Sequence, residues 1–137
     1  MQIVPYLFFP GTCAEAFRFY EKVLGGKIVD MLTHAETPMK DHVSPDWQDK
    51  IIHARLLVGD AVIMASDAPP EFQKNPQGFS VSIHVKDVDE AELVFTALAE
   101  GGTVTMPLEK TFWTARFGML TDRYGTPWMI NCDQMPA

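Results

Sequence analysis

Two stretches of this chain carry the same succession of apolar and polar positions. Residues 4–31, VPYLFFPGTCAEAFRFYEKVLGGKIVDM, read as a strand, an amphipathic helix, a double glycine and a second strand. Residues 79–106, FSVSIHVKDVDEAELVFTALAEGGTVTM, repeat those parts in order, with Glu15-Ala16 over Glu90-Ala91 and Gly25-Gly26 over Gly101-Gly102. The first strand, residues 3–9, stops at Pro10-Gly11. Thr12 with Glu15, and Asp87 with Glu90, have the spacing of capping boxes, which predicts helices over 13–24 and from 88 to about 100. Residues 27–33 and 103–111 read as the strands that follow.

A hairpin comes next in each half. Residues 51–58 and 61–66 flank Gly59-Asp60, a two-residue turn in which glycine supplies the positive φ. That turn sets Arg55 opposite Met64, His53 opposite Ser66 and Leu57 opposite Val62, and leaves Ile52, Ala54, Leu56, Ile63 and Ala65 for the face a helix covers. In the second half, residues 112–121 and 127–132 make a longer hairpin, with Thr114-Ala115-Arg116 read over His53-Ala54-Arg55 and Met129 over Met64. The order β-α-β-β-β therefore occurs twice. The expected architecture is α+β: module one over residues 1–67, a proline-rich linker over 68–78 and module two over 79–137. Residues 34–50 interrupt the pattern as a long polar loop, either a lid or a solvated excursion, with Ser44-Pro45 placed to start a helical turn.

Strand alternation also sorts candidate chemistry. Phe79, Val81, Ile83 and Val85 should face the helix, and Ser80, Ser82 and His84 the other way. The hairpins add His53, Arg55, Ser66, Thr114, Arg116 and Asn131 to that concave face. The repeat adds Pro5, Leu7 and Phe9, and Phe112 supplies a second aromatic wall beside Phe9. Such a surface suits a small organic molecule with an anionic or carbonyl group, because the arginine fork holds a carboxylate through two parallel bonds. Plainer readings stand beside each residue. The arginines pair with carboxylates across the sheet, or His53 is a structural histidine. Cys13, in the first helical turn, has the place of an activated thiol but reads better as a helix-filling residue. His34, Glu36, Asp41 and His42 have no recognised metal spacing. No Ser-His-Asp order, phosphate-cradling loop or close carboxylate pair can be assigned.

Charge and composition narrow the class. A 137-residue chain with 47% hydrophobic residues can bury one core. A net charge of −7 without any basic cluster argues against nucleic acid. No apolar run approaches the roughly 20 residues that span a bilayer, and nothing reads as a signal peptide. Cys13 and Cys132 do not make a disulfide framework, so a reducing cytoplasm is expected.

With these residues in hand, the chain resembles the vicinal-oxygen-chelate superfamily of glyoxalase I, bleomycin-resistance proteins and extradiol dioxygenases, and within it the PhnB-like branch. The resemblance rests on Phe19-Tyr20 with Val23-Leu24-Gly25, Pro5-Tyr6-Leu7-Phe8-Phe9, His53-Ala54-Arg55 before Gly59-Asp60, and Met64-Ala65-Ser66-Asp67. Thr111-Phe112-Trp113 through Arg116-Phe117-Gly118, Thr121-Asp122 and Trp128-Met129-Ile130-Asn131 extend it over nearly the whole chain. It implies two modules forming a half-open mixed β-barrel, a ligand cleft and a homodimer. It also implies metal ligands on the first and last strands of each module, which fall here on Pro5, Met64, Ser80 and Met129. Proline has no side-chain donor and thioethers suit soft ions, so no metal and no cofactor are expected. The alternatives are a metal-dependent lyase, isomerase or dioxygenase using other ligands, such as His53, His84 or loop carboxylates, and a vestigial cleft on a protein that acts through its dimer surface. Related sequences carry a demethylubiquinone methyltransferase label, yet no strand–loop–helix unit with a glycine-rich loop is found.

Overall fold

The computed structural model describes residues 1–136, and the chain divides into two compact units, Met1–Lys74 and Asn75–Ala137. Module one contains β1 (Tyr6–Phe9), α1 (Cys13–Leu24), β2 (Lys27–Thr33), β3 (Ile51–Val58) and β4 (Ala61–Asp67). Its sheet runs β1-β4-β3-β2, with β1 parallel to β4 and the other pairs antiparallel. Module two contains β5 (Val81–Val85), α2 (Val88–Ala99), β6 (Thr103–Glu109), β7 (Phe117–Thr121) and β8 (Pro127–Cys132), in the order β5-β8-β7-β6. Each is a mixed four-stranded sheet with one helix, the α+β repeat read from the sequence.

In each module the helix covers one sheet face. Ala16, Phe17 and Tyr20 of α1 are sealed from solvent, as are Ala54, Leu56 and Ala65 of the sheet. Phe9 joins them, its ring 6.4 Å from both Phe17 and Tyr20. Burying a side chain such as Leu56 contributes about 1.5–3 kcal/mol, so this face holds the module together. In module two, Ala91 and Leu98 of α2 are buried together with Leu120, Trp128 and Ile130.

The second glycine of each Gly-Gly pair is a close-approach position. A Cβ on Gly26 would lie 2.6 Å from the Leu57 carbonyl oxygen, and one on Gly102 would lie 2.4 Å from that of Thr121. Leu57 pairs with Val62, and Thr121 pairs with Pro127. Leu57 and Thr121 are thus equivalent, which stands His53-Ala54-Arg55 over Phe117-Gly118-Met119. The sequence reading had used Thr114-Ala115-Arg116, three places too early. The turn at residues 122–126 is one residue longer than its counterpart at 58–61. Asp122 organises that turn: one carboxylate oxygen accepts from the amides of Tyr124 (2.8 Å) and Thr126 (3.0 Å), and the other from the Trp128 indole (2.8 Å).

The α1 cap also differs from expectation. Buried Thr12 Oγ1 has no hydrogen-bond partner. Asp67, which the sequence reading left just outside a strand over 61–66, ends β4 and caps the helix from across the sheet. Its Oδ1 accepts from the amides of Gly11 (3.0 Å) and Cys13 (2.9 Å), and its Oδ2 from that of Ile51 (2.8 Å). At α2 the local cap forms, with Asp87 Oδ1 accepting from Glu90 N at 2.9 Å.

Residues 34–50 fold into three short 3-10 turns, at His34–Glu36, Pro38–His42 and Pro45–Trp47. The segment is tied down at both ends, not solvated throughout. His34 is buried and its Nδ1 lies 3.0 Å from the Lys50 carbonyl oxygen, while its amide donates to the same oxygen. Glu36 and Asp46 are held below the ordinary carboxylate range by hydrogen bonds, chiefly from the Thr33 and Ser44 hydroxyls respectively.

Candidate functional site

The sheet face turned away from each helix carries the polar candidates. In module one, β1 contributes Tyr6 and Phe8, both exposed, whereas Leu7 and Phe9 are buried on the helix side. This reverses the expected phase of the strand: Phe9 is a core residue and not a wall of the site. Pro5 precedes the strand. The register then draws a row across the sheet, with Tyr6 opposite Met64, Met64 opposite Arg55 and Arg55 opposite Asp30. The Tyr6 ring stands 5.1 Å from that of Phe8 and 6.3 Å from that of His53.

Arg55 is the unusual member. Its Nε is buried without a hydrogen-bond partner, and among the described residues no carboxylate lies within 4 Å of its guanidinium. Leaving a buried donor unpaired costs on the order of 1–3 kcal/mol. Beside this row, Phe8, Ser66, Asp67, Ala68, Pro69 and Phe72 line a hollow of about 370 Å³. Phe8 and Phe72 are its exposed aromatic walls.

Arg116 has a different fate. Lying three positions earlier in register than expected, it stands level with Ile52 and reaches toward the helix, not the open face. Its Nε donates to Glu92 Oε1 of α2 at 3.4 Å, and Nη1 donates to the Ala115 carbonyl at 2.7 Å. The carboxylate-paired reading holds for Arg116 and fails for Arg55. Thr114 is likewise structural: it is buried, and its hydroxyl donates to the Cys132 carbonyl. Phe112 lies outside any strand, 90% exposed, with its ring 4.9 Å from that of Trp113.

On the open face of module two, Ser82 faces Met129 and His84 faces Asn131. Ser82 Oγ lies 3.1 Å from His84 Nε2, and His84 Nδ1 lies 3.7 Å from Asp133 Oδ1. Trp113 Nε1 donates to Asn131 Oδ1 at 3.1 Å. Ser80 lies just before β5. The sequence reading missed Asp133, Tyr6 and Phe8 as site residues. The aromatic pair was legible had the alternation been phased from Leu7 and Phe9 as core. Asp133 became visible only with the parallel pairing of β5 and β8.

Cys13 is no activated thiol. Burial first, and then the Asp67 carboxylate, push its pKa upward, so the neutral form is held. Nor do the metal positions fit a hard divalent ion. The residues facing Met64 and Met129 are Tyr6 and Ser82, so each module offers a thioether and a hydroxyl there, in place of the Pro5 and Ser80 expected. Among the described residues no three His, Cys, Asp or Glu side chains gather closely enough to share an ion.

The Glyoxalase/Bleomycin resistance protein/Dioxygenase superfamily matches residues 2–130. The chain belongs to this superfamily. Within it, the chain is 33% identical to the YjdN protein of Escherichia coli, over 96% of its own length and 95% of that protein's. The crystal structure of the PA1353 protein of Pseudomonas aeruginosa is similar at a TM-score of 0.90 and 51% identity, covering 98% of both chains. The PhnB protein of Bacillus cereus, which carries a 3-demethylubiquinone-9 3-methyltransferase label, matches at a TM-score of 0.79 and 26% identity, over 96% of this chain and 99% of that one. These likenesses place the chain in the PhnB-like branch of the superfamily. Among the described residues no helix is long and apolar enough to cross a membrane.

Proposed function

We propose that this superfamily member binds a small aromatic molecule bearing a carboxylate or carbonyl, on the open face of module one, without the superfamily metal. The observation that carries this reading is the Arg55 Nε–H, buried with no acceptor, in the row that continues through Met64 to Tyr6. A carboxylate satisfies that donor and takes a second N–H of the same fork. A planar ring stacks on Tyr6 or Phe8, and the neighbouring hollow of about 370 Å³ is large enough for a one-ring ligand. The reading includes a homodimer in the cytoplasm, measurable by light scattering and by fractionation.

The test is a thermal-shift panel of benzoate, phenylacetate and phenylphosphonate, with benzyl alcohol as the neutral control. The acids raise Tm of the wild-type protein by binding the native state alone, benzyl alcohol does not, and Arg55→Gln abolishes the response. Equal shifts in wild type and Arg55→Gln would remove the arginine from the account.

A further inference from the structure

We propose that Ser82, His84 and Asp133 form a nucleophile–base–carboxylate line on module two that accepts the acyl group of a small activated ester, with the Asn131 amide as its oxyanion donor. Residues two apart on a strand share a face, so Ser82 and His84 are neighbours by backbone geometry. Their Oγ···Nε2 separation of 3.1 Å is within hydrogen-bond reach. Asp133 follows β8 and is fixed by its amide, which donates to the Val85 carbonyl at 2.7 Å. Its carboxylate then sits 3.7 Å from the opposite ring nitrogen, Nδ1. This is an ion-pair distance longer than a hydrogen bond, which makes Asp133 a positioning residue acting through charge. It is the only charged partner of His84 among the ion pairs of the described residues.

Asn131 stands beside His84 across the parallel pair. The Trp113 indole donates to its carbonyl oxygen, which assigns the amide orientation and turns Nδ2 into the free end. Nδ2 makes one long contact, 3.4 Å to the Cys132 carbonyl, and keeps a second N–H for an oxyanion.

The step balances without any external reagent except water. His84 carries its proton on Nδ1, toward Asp133, leaving Nε2 free to accept. Ser82 Oγ adds to the ester carbonyl carbon while its proton passes to Nε2, and the carbonyl oxygen becomes the oxyanion beside Asn131. The C–O bond to the alcohol breaks, and the alcohol leaves with the proton from Nε2. Water then attacks the acyl-serine by the same route, releasing the acid and restoring Ser82. His84 and Asp133 are more than half exposed, so the line works in a wet setting that favours aryl esters, whose phenol leaves with little help.

The experiment treats the full-length protein with a fluorophosphonate and locates the adduct by mass spectrometry, with circular dichroism on each variant. The expected adduct is on Ser82, absent in Ser82→Ala and formed at least tenfold more slowly in His84→Gln. In folded Asp133→Asn, labelling persists but slows, and Asp133→Glu, which keeps the carboxylate, restores the rate; a merely structural role for Asp133 would leave the rate in folded Asp133→Asn unchanged. The proposal is overturned by a folded wild-type protein that takes no adduct, by an adduct elsewhere, or by an unchanged rate in folded His84→Gln. Fluorophosphonate labelling of Ser82 is separate from anion binding on module one, so either can fail without the other.

Discussion

The two modules share a template yet fill the same row of the sheet with different chemistry. In module one the row reads Asp30, Arg55, Met64, Tyr6; in module two it reads Met106, Met119, Met129, Ser82. A charged and aromatic row suits an oriented anion, while three thioethers and a hydroxyl form a soft, adaptable surface. The helix caps diverge as well. Module one uses a buried aspartate at the end of β4, and module two uses the residue just before α2. Cys132 takes the place of Asp67 in the second sheet, so the two solutions exclude each other position by position. Duplicated backbones keep close-approach glycines and register, while the residues between them are free to specialise.

The caps give the largest predicted contrast. Asp67→Ala strands the amides of Gly11, Cys13 and Ile51 in a buried place and is expected to cost about 3–5 kcal/mol in urea unfolding. Asp87→Ala removes one exposed cap bond and should cost about 1 kcal/mol. Equal losses would mean that the modules are anchored alike.

Next is Gly118, equivalent to Ala54. A Cβ there would stand 2.7 Å from the Phe95 ring and 3.0 Å from Leu108 Cα, so Gly118→Ala should cost on the order of 1–3 kcal/mol despite matching the residue in module one. A neutral outcome would show that Phe95 of α2 gives way to a methyl group of the kind that module one already holds at Ala54.

The third contrast is pH-dependent. The Cys13 thiol has a folded pKa raised above its ordinary value of 9.0 by burial and by Asp67. Its contribution is complete below pH 9 and is lost as pH rises toward the folded value, because only the unfolded chain releases the proton there. Wild-type stability should fall relative to Cys13→Ala above pH 9, with a slope of up to about 1.4 kcal/mol per pH unit. Parallel curves would contradict it. The smallest effect is at the Arg116–Glu92 pair, which is partly exposed: Glu92→Gln should change stability by no more than about 0.5 kcal/mol.

Much of this was legible beforehand, and the failures have specific causes. The repeat, both helices, the Gly59-Asp60 turn and its register follow from periodicity and turn chemistry, which are local. Phe9 was placed on the wrong face because a strand of aromatic and aliphatic residues such as Tyr6–Phe9 has no polar position to set its phase. Arg116 was misaligned because a tripeptide likeness outweighed the turn length, and the equivalence of Leu57 and Thr121 shows only in their contacts with Gly26 and Gly102. Asp67 and Asp133 act across strands, through parallel pairings that no sequence window contains. Thr12 has cap spacing, but a stronger acceptor from β4 takes the amides first.

The sharpest test compares the two arginines directly. In full-length protein labelled with ¹⁵N at arginine side chains, the Nε–Hε resonances are followed while benzoate is added. The Arg55 resonance should shift and saturate as its orphan donor gains an acceptor, and that of Arg116, already donating to Glu92, should stay put. A saturating shift at Arg116 with none at Arg55 would contradict the assignment of the binding face to module one.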